Sequence, residues 1–374
     1  MSLEDFRDQI DSCVDCKVCN DVCSFYLLSG DEELGPWRKL DVSKRLLLNS
    51  DVSENELLKA AYACTMCGMC ERVCPMNIQI TDIVRMLRRR IIRENMAPEK
   101  VKLLCENIVR SGSMTGGGRE FWRSWIPSDV KLPEKSETLY LSGCMIPFKI
   151  HELGRATIDI LLKAGVDFTI LGEDERCCGL LLWDHGFIEE AEKLAEDNVE
   201  KFEEKGAKRL IVACSACYYM YKEVYPRLLN RRTPEVYHIV EILSHLVDEG
   251  KLVPKKRIDA KVVYFDSCHF TKFTGKYSEP RKLIQSIPGI KLLELSRNRE
   301  SGYCCGISSG VRMVFKDLTD SVAKKIIREA LNTGAEKIIT SCPLCMYQFM
   351  STIKRYNIRG IEAIDIPLLL YEAL

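Results

Sequence analysis

The sequence predicts an α+β multi-domain protein in which a helical N-terminal domain precedes two copies of one α/β domain. Residues 1–110 carry the apolar spacing of amphipathic helices. From about residue 137, short apolar strands alternate with helices, which is typical of parallel sheets with right-handed crossovers. The second alternating stretch repeats the order of the first. We therefore expect a linker at 111–136 and two duplicated domains at 137–250 and 251–374, related by pseudo-twofold symmetry.

The composition is that of a globular protein long enough for two or three cores. The chain has 374 residues, of which 46% are hydrophobic and 29% are charged, and its formal net charge is zero. A nucleic-acid-binding protein would usually show a basic excess, so that class is disfavoured. No apolar run is long enough to predict a transmembrane helix, and the N-terminal stretch MSLEDFRDQI lacks the pattern of a signal peptide. We expect a cytoplasmic protein that reaches a membrane only through a partner subunit.

The predicted N-terminal domain contains several helical patterns and is followed by a loop-like segment. The helical patterns are LEDFRDQID, VSKRLLLNS, ENELLKAAYACTMC and ITDIVRMLRRRIIREN. The last of these places Arg85, Arg88, Arg89, Arg90 and Arg93 on what we expect to be a solvated basic face, with docking to a partner as the alternative. The linker is rich in Gly, Ser and Pro, but Phe121, Trp122 and Trp125 predict that it packs against a domain.

The two predicted α/β copies share one order of strands, helices and cysteines. The first copy contains TLYLSGC, ELGRATIDILLKAG, VDFTILG, IEEAEKLAEDNVEKFEEKGA and RLIVACSAC. The second copy contains KVVYFDSC, EPRKLIQSI, IKLLELS, LTDSVAKKIIREALNTGA and KIITSCPLC. In both copies the cysteines follow the strands directly. We therefore expect them at the carboxyl ends of parallel strands, where α/β folds usually carry their sites.

Eight cysteines form two runs with the spacing C-x2-C-x2-C-x3-C. The runs are Cys13, Cys16, Cys19, Cys23 and Cys64, Cys67, Cys70, Cys74. This spacing is typical of bacterial ferredoxins with two cubane [4Fe–4S] clusters, where the fourth cysteine of each run binds the cluster of the other run. Zinc is the alternative, although it usually takes separate C-x-x-C pairs. Pro75 follows the second run, whereas Ser24 follows the first, which we expect to affect chain direction and not ligation.

Ten further cysteines form two sets of five, one in each α/β copy. The sets are Cys144, Cys177, Cys178, Cys214, Cys217 and Cys268, Cys304, Cys305, Cys342, Cys345. A cubane needs four thiolates, so each set has one cysteine more than a cubane uses. Because neighbouring side chains diverge, the adjacent pair indicates an unusual cluster or a thiol that takes part in chemistry. The alternative is that one cysteine of each pair is only structural. The remaining Cys105 lies in a helical pattern and is expected to be a small buried residue.

The repeated pattern C-x(32–35)-C-C-G-x(34–35)-C-x-x-C resembles the paired cysteine-rich CCG domains of heterodisulfide reductase catalytic subunits. The two runs ahead of it resemble the small iron–sulfur subunit of that enzyme, and their fusion resembles the cytochrome-linked form, which is D-like. The resemblance covers nearly the whole chain. It implies a noncubane [4Fe–4S] cluster in each five-cysteine set, beside the two cubane clusters, and a substrate disulfide between the two sets. Related fused proteins serve glycolate or D-lactate dehydrogenases.

Several residues are candidates for the chemistry and for substrate binding. Cys178 and Cys305 are the candidate catalytic thiols, and His269 is a candidate proton donor to a departing thiolate. The cationic residues that follow it resemble the family pattern and are candidates for holding an anionic tail, namely Lys272, Lys276 and Arg281. The alternative is that they are solvated or helix-capping residues. Met145 stands in the first copy where the second has His269, so the two halves are asymmetric.

The same pattern favours one-electron chemistry in a disulfide reductase subunit. No G-x-G-x-x-G motif follows a predicted strand and no P-loop is present, so we expect no flavin or NAD in this chain. Electrons would pass from a partner, a cytochrome b membrane subunit or a flavoprotein, through the ferredoxin-like pair to the CCG pair. The expected substrate is a small disulfide with anionic tails. The alternative is a non-catalytic relay that links an FAD-linked lactate or glycolate dehydrogenase, or an electron-transfer flavoprotein, to a membrane quinone or cytochrome.

Overall fold

A computed structural model describes residues 2–374, except for the side chain of Lys272. Contacts between Cα atoms divide the chain into two compact units. The smaller unit contains the chain up to Cys105, Leu181–Ile188 and Tyr303–Ile326. The larger unit contains Glu106–Leu180, Glu189–Gly302 and Ile327–Leu374. Each predicted α/β copy therefore contributes one short segment to the smaller unit.

The described residues form helices throughout and two groups of strands. The helices are α1 (Arg7–Asp11), α2 (Ser24–Ser29), α3 (Pro36–Leu47), α4 (Glu54–Tyr62), α5 (Met69–Arg72), α6 (Ile80–Arg93), α7 (Glu99–Ser111), α8 (Arg119–Arg123), α9 (Met145–Lys149), α10 (His151–Lys163), α11 (Leu180–His185), α12 (Ile188–Glu204), α13 (Ser215–Tyr219), α14 (Tyr225–Leu228), α15 (Ile239–Asp248), α16 (Ser278–Gln285), α17 (Val311–Val314), α18 (Lys316–Asn332), α19 (Pro343–Arg355) and α20 (Ile366–Ala373). Two π-helical turns are Met220–Val224 and Cys268–Lys272. The strands are β1 (Thr138–Leu141), β2 (Thr169–Ile170), β3 (Arg209–Val212), β4 (Glu235–His238), β5 (Ala260–Tyr264), β6 (Ile290–Leu293), β7 (Lys337–Thr340) and β8 (Glu362–Asp365).

Helices α3, α4 and α6 build the core of the smaller unit. Helix α4 begins with a capping box, in which Ser53 and Glu56 satisfy each other's backbone N–H groups. Helix α3 begins with Pro36 at its first position, where the missing N–H costs nothing. The inner face of α6 is a stripe of fully buried aliphatic residues, including Ile83, Leu87 and Ile91. Local capping thus fixes the helix ends, and the apolar stripe fixes their packing.

The basic residues of α6 do not form one solvated face, so this prediction is wrong for three of the five arginines. Arg85, Arg88 and Arg89 are buried, at 2%, 0% and 9% exposure, whereas Arg90 and Arg93 are exposed. The guanidinium of Arg85 stacks on the ring of Trp183, 4.2 Å from its centroid. Charge spacing alone could not reveal this, because the ring comes from a distant part of the chain.

Both sheets lie in the larger unit and have the same topology. The first has the strand order β2-β1-β3-β4 and the second the order β6-β5-β7-β8, and all neighbours are parallel. In the first sheet Ile211 pairs with Tyr140 and Tyr237, and in the second Ile338 pairs with Val263 and Ala363. The central strands are almost fully buried apolar segments, as expected for parallel sheets covered on both faces. The predicted fold class is confirmed.

Reciprocal helix contacts relate the two α/β copies by a pseudo-twofold axis. Helix α10 of the first copy packs against α20 of the second, and α15 of the first packs against α16 of the second. A hydrogen bond from Tyr371 to Asp159, 3.0 Å long, joins the first pair. An ion pair between Lys282 and Asp248 joins the second. Because α16 and α20 stand in the second copy where α10 and α15 stand in the first, such exchanged contacts are those of an isologous interface.

The segment predicted as a linker packs into the larger unit. It contains α8, and Trp122 and Trp125 are each only 1% exposed. The indole of Trp125 makes an edge contact with the ring of Tyr140 on β1, at 6.2 Å between centroids. The prediction that its aromatic residues pack against a domain is confirmed.

Candidate iron–sulfur sites

The first three cysteines of the first run surround a small cavity with the last cysteine of the second run. The cavity is lined by Cys13, Cys16, Cys19 and Cys74, together with Pro75. It lies near the surface, because Cys16 is exposed and Val14 is 60% exposed. Burial raises the pKa of the Cys19 thiol to about 11. This is the interleaved grouping expected of a two-cluster ferredoxin.

The remaining four cysteines of the two runs surround a second cavity. It is lined by Cys23, Cys64, Cys67 and Cys70, and also by Cys304. In the described part of the chain, no three His, Cys, Asp or Glu side chains converge closely enough to hold one metal ion. The four cysteines stand around a space instead, which is the arrangement that a four-iron cluster requires.

The two cysteine runs adopt the same loop conformation. Asp15 and Lys17 in the first run have φ values of 53° and 57°, and Met66 and Gly68 in the second have 55° and 70°. These are equivalent positions, since the runs are offset by 51 residues. A left-handed conformation costs a residue with a side chain about 1–2 kcal/mol. Its repetition in both runs shows that the loops are shaped to turn successive cysteines toward one space.

Two buried cations stand beside the second cavity. The ammonium of Lys39 is 1% exposed and donates to the carbonyl of Leu34 at 2.8 Å. The guanidinium of Arg88 donates to the carbonyls of Ala61 and Cys64, at 2.8 and 2.6 Å.

These cations are matched to buried thiolates. Burial raises the pKa of Cys23 and Cys64, and the charge of Lys39 opposes this rise in both. Burial in turn lowers the pKa of Arg88. Four thiolates around a cluster carry net negative charge, and two buried cations compensate it. The residues present therefore fit an iron–sulfur cluster.

The third cysteine set is gathered at the carboxyl ends of the central strands of the first sheet. Its thiols are joined by contacts of hydrogen-bond length in the order Cys144, Cys177, Cys178, Cys217, Cys214. The thiols of the adjacent pair contact each other, so the expected divergence of neighbouring side chains does not separate them. Contacts with Cys144 and Cys178 hold the pKa of Cys177 well below its usual value. The set thus favours thiolate formation.

Three polar side chains support the third set and were missed by sequence reasoning. Asn198 on α12 donates to the carbonyl of Cys177 at 3.0 Å, and the hydroxyl of Tyr225 donates to the carbonyl of Cys178 at 3.1 Å. Glu175 accepts from the backbone N–H of Gly143 at 2.7 Å, and burial raises its pKa to about 7. Only their position near the cysteine motifs could have indicated this role.

The fourth cysteine set is divided between the two units. Cys268, Cys342 and Cys345 belong to the larger unit, and Cys304 and Cys305 to the smaller one; all five are buried. The grouping of all five stays a prediction. Within the larger unit, Cys342 contacts Cys214 of the third set.

His269 lies against Cys268. Its Nδ1 is 3.5 Å from the Sγ of Cys268, within reach for a proton transfer. Its ring packs on Phe273 and Tyr219, with centroids 5.7 and 5.2 Å away. The imidazole is only 3% exposed, so its orientation is fixed by packing.

The structure corrects the prediction that Arg281 holds an anionic substrate tail. Its guanidinium binds both oxygens of Asp266 at 2.9–3.0 Å and both oxygens of Glu294 at 2.7–2.9 Å. Burial alone would lower the pKa of Arg281, but these hydrogen bonds raise it. Lys276 is ion-paired with Glu241. The side chain of Lys272 lies outside the described part of the chain, so its predicted role is not addressed.

Sequence-family comparisons match the described architecture. Residues 9–78 match the "4Fe-4S dicluster domain" family, and residues 138–222 and 262–350 match the "Cysteine-rich domain" family CCG. A solved structure of a hypothetical protein from Helicobacter pylori shares the fold, with a TM-score of 0.61 over 99% of this chain and 74% of that one, at 13% identity. Among the described helices, none has the length and apolar character needed to cross a bilayer.

These domains and their cysteines define an iron–sulfur oxidoreductase subunit. The D-type subunit of the dihydromethanophenazine:CoB–CoM heterodisulfide reductase of Methanosarcina acetivorans is 32% identical over 98% of this chain and 94% of its own length. The chain therefore belongs to the family of D-type heterodisulfide reductase subunits. The EtfAB:quinone oxidoreductase of Syntrophomonas wolfei is 29% identical over 100% of this chain and 60% of its own length.

Proposed function

We propose that the chain is the catalytic subunit of a disulfide reductase that works with an electron-transfer partner. The observation that carries this proposal is the third cysteine set, whose five thiols form one connected group where a cubane would use four. The fourth set repeats the same five cysteines in the sequence. A relay would need only ordinary clusters, whereas two unusual sets match the two sulfurs of one disulfide.

The cysteines are proposed to hold four clusters. Each of the two ferredoxin-like cavities would hold a cubane, and each five-cysteine set a noncubane [4Fe–4S] cluster. When bound, these groups supply one-electron transfer. Reduction of a disulfide takes two electrons and two protons and releases two thiols, so two sets can each serve one sulfur. We expect about sixteen irons per chain after anaerobic purification.

The chain's own residues orient the thiols and supply a proton. Asn198 and Tyr225 fix the backbone of the pair Cys177-Cys178, and His269 is the proposed proton donor to a departing thiolate, given its position beside Cys268. The expected partner is a cytochrome b membrane subunit or a flavoprotein, and the expected substrate a small disulfide. Lys272 remains a proposed contact for an anionic substrate tail.

The test is reduction of a heterodisulfide by the anaerobic protein with a reduced dye as donor. Replacing Cys178 or Cys305 by Ala should abolish turnover, while the ferredoxin-like clusters remain reducible. Replacing the buried Cys105 by Ala is the matched control and should leave turnover intact. Turnover at the parent rate in Cys178→Ala or in Cys305→Ala would disprove the shared site.

A relay is the second candidate, favoured by the similarity to the EtfAB:quinone oxidoreductase. It would pass electrons between a flavoprotein and a quinone pool. Electron transfer of this kind, with no reduction of any disulfide by the parent protein, would select the relay.

A further inference from the structure

Cys304 of the fourth set is hydrogen-bonded to the ferredoxin-like part of the smaller unit. Its Sγ lies 3.2 Å from the hydroxyl of Thr65, and its backbone N–H donates to the hydroxyl of Ser24 at 2.7 Å. Thr65 follows Cys64, and Ser24 follows Cys23, so both contacts come from residues adjacent to cysteines of the second cavity. All three residues are buried, at 2%, 6% and 7% exposure for Cys304, Thr65 and Ser24.

The corresponding positions of the other cysteine run carry residues that lack a hydroxyl. The runs are offset by 51 residues, so Val14 corresponds to Thr65 and Pro75 corresponds to Ser24. Val14 is 60% exposed, whereas Thr65 is 6% exposed. Ser24 also departs from the proline that ends a ferredoxin run. Both departures place a hydroxyl against Cys304, and this gives the serine a role that its position in the motif did not explain.

The first α/β copy satisfies the equivalent backbone group differently. The N–H of Cys177, the first residue of its cysteine pair, donates to the carbonyl of Gly112 at 2.7 Å. In the second copy the equivalent N–H uses the hydroxyl of Ser24. The two copies therefore differ at the residue where a cysteine pair begins, although their folds and their cysteines match.

We propose that Thr65 and Ser24 are positioning residues that make the C-terminal cysteine set the entry point for electrons into the CCG pair. The inference rests on the proposed function, because it requires both sets to hold clusters. Each transfer moves one electron from the set of Cys23, Cys64, Cys67 and Cys70 to the set containing Cys304, with no bond broken and no proton moved. The N-terminal set then receives its electron through the C-terminal set.

The hydroxyl of Thr65 has a predictable electrostatic effect. When Cys304 is a thiolate ligand, the Thr65 O–H donates to its sulfur. Hydrogen bonds to ligand sulfurs stabilise the more negative, reduced state and raise the midpoint potential. Removal of this donor therefore lowers the potential of the C-terminal set and leaves that of the N-terminal set unchanged.

The experiment compares variants that carry the other run's residues, Thr65→Val and Ser24→Pro, with the conservative Thr65→Ser. Proline is compatible with position 24, which is the first residue of α2. The readouts are anaerobic redox titration followed by electron paramagnetic resonance, and the rate at which a reduced dye reaches the C-terminal set. Cys178→Ala and Cys305→Ala assign the two signals. Thr157→Val is the control, since this buried hydroxyl donates only within α10, to the carbonyl of Leu153.

We expect Thr65→Val to lower the midpoint potential of the C-terminal signal and to slow its reduction at least tenfold. Ser24→Pro should slow the same step, whereas Thr65→Ser should restore both properties and Thr157→Val should change neither. Normal potential and rate in Thr65→Val, or a shift of the N-terminal signal instead, would overturn the inference. An iron content near eight in the parent protein would remove the proposed function as well, whereas a full iron content without a Thr65 effect removes the inference alone.

Discussion

Replacing Arg281 by Met should cost the protein most of the stability of the loop that carries Cys268. The guanidinium donates four hydrogen bonds to two carboxylates and a fifth to the carbonyl of Tyr277 at 2.9 Å. The side chain of Asp266 is 1% exposed, and Asp266 lies two residues before Cys268. The substitution therefore leaves a buried carboxylate without its cation.

The expected loss is about 3–5 kcal/mol in the free energy of unfolding, the range for breaking a buried ion pair from one side. The matched control is Arg257→Met. Arg257 also pairs with an aspartate, Asp259, at 2.7 Å, but these side chains are 69% and 70% exposed. An exposed pair contributes about 0–1 kcal/mol, so the control should be nearly silent. Adding Asp266→Asn to Arg281→Met should recover part of the loss, because the unpaired charge is then absent.

The assay is guanidinium unfolding of the cluster-loaded protein under anaerobic conditions, followed by circular dichroism, together with KM for the disulfide. A structural Arg281 predicts a large fall in stability. If Arg281→Met kept its stability within about 1 kcal/mol of the parent and raised KM tenfold, the guanidinium would be a substrate contact after all, and the structural assignment would be refuted.

Two further substitutions test the cluster environments. Gly143 has a φ of 68°, and a Cβ added there would lie 3.1 Å from the Sγ of Cys217, so Gly143→Ala should remove about four irons per chain by iron assay; Gly206→Ala has a similar φ of 74° but meets nothing within 4 Å, and should keep its iron. Lys39→Met removes a buried cation beside the second cavity. A charge on the order of 8 Å from a cluster contributes ~2 kcal/mol at an effective dielectric constant of about 20, so the midpoint potential should fall by ~80 mV for one electron, whereas the exposed Lys44→Met should leave it unchanged; an unchanged potential in Lys39→Met would show that the ammonium is not electrostatically coupled to this site.

The sequence was sufficient to predict those features that repeat or that depend on local spacing. The parallel sheets follow from the alternation of strands and helices, and their pseudo-symmetry follows from the duplication. The placement of cysteines after β1, β3, β5 and β7 follows from the strand ends. These patterns are local, so a single segment is enough to identify each one.

The sequence was not sufficient to predict the long-range polar partners. Arg281 was expected to face an anionic ligand, but Asp266 and Glu294 already bind it, and both lie within the same α/β copy. The contact of Ser24 with Cys304 joins residues 280 positions apart. A charge or a hydroxyl in a sequence shows what it can bind, but only the fold shows which partner reaches it first.

The composition of the smaller unit has a consequence for biosynthesis. Its core includes the ring of His185, stacked on Tyr62 at 5.6 Å between centroids, and the backbone of Gly310 lies against that same imidazole. Both come from segments translated long after the two cysteine runs, and the unit is complete only at Ile326. Because a chain emerges from the ribosome N-terminus first, the ferredoxin-like loops must wait, unfinished and rich in thiols, until most of the polypeptide has been made. Delivery of iron and sulfide to these loops would then be a late event in maturation, although their cysteines are the first to leave the ribosome.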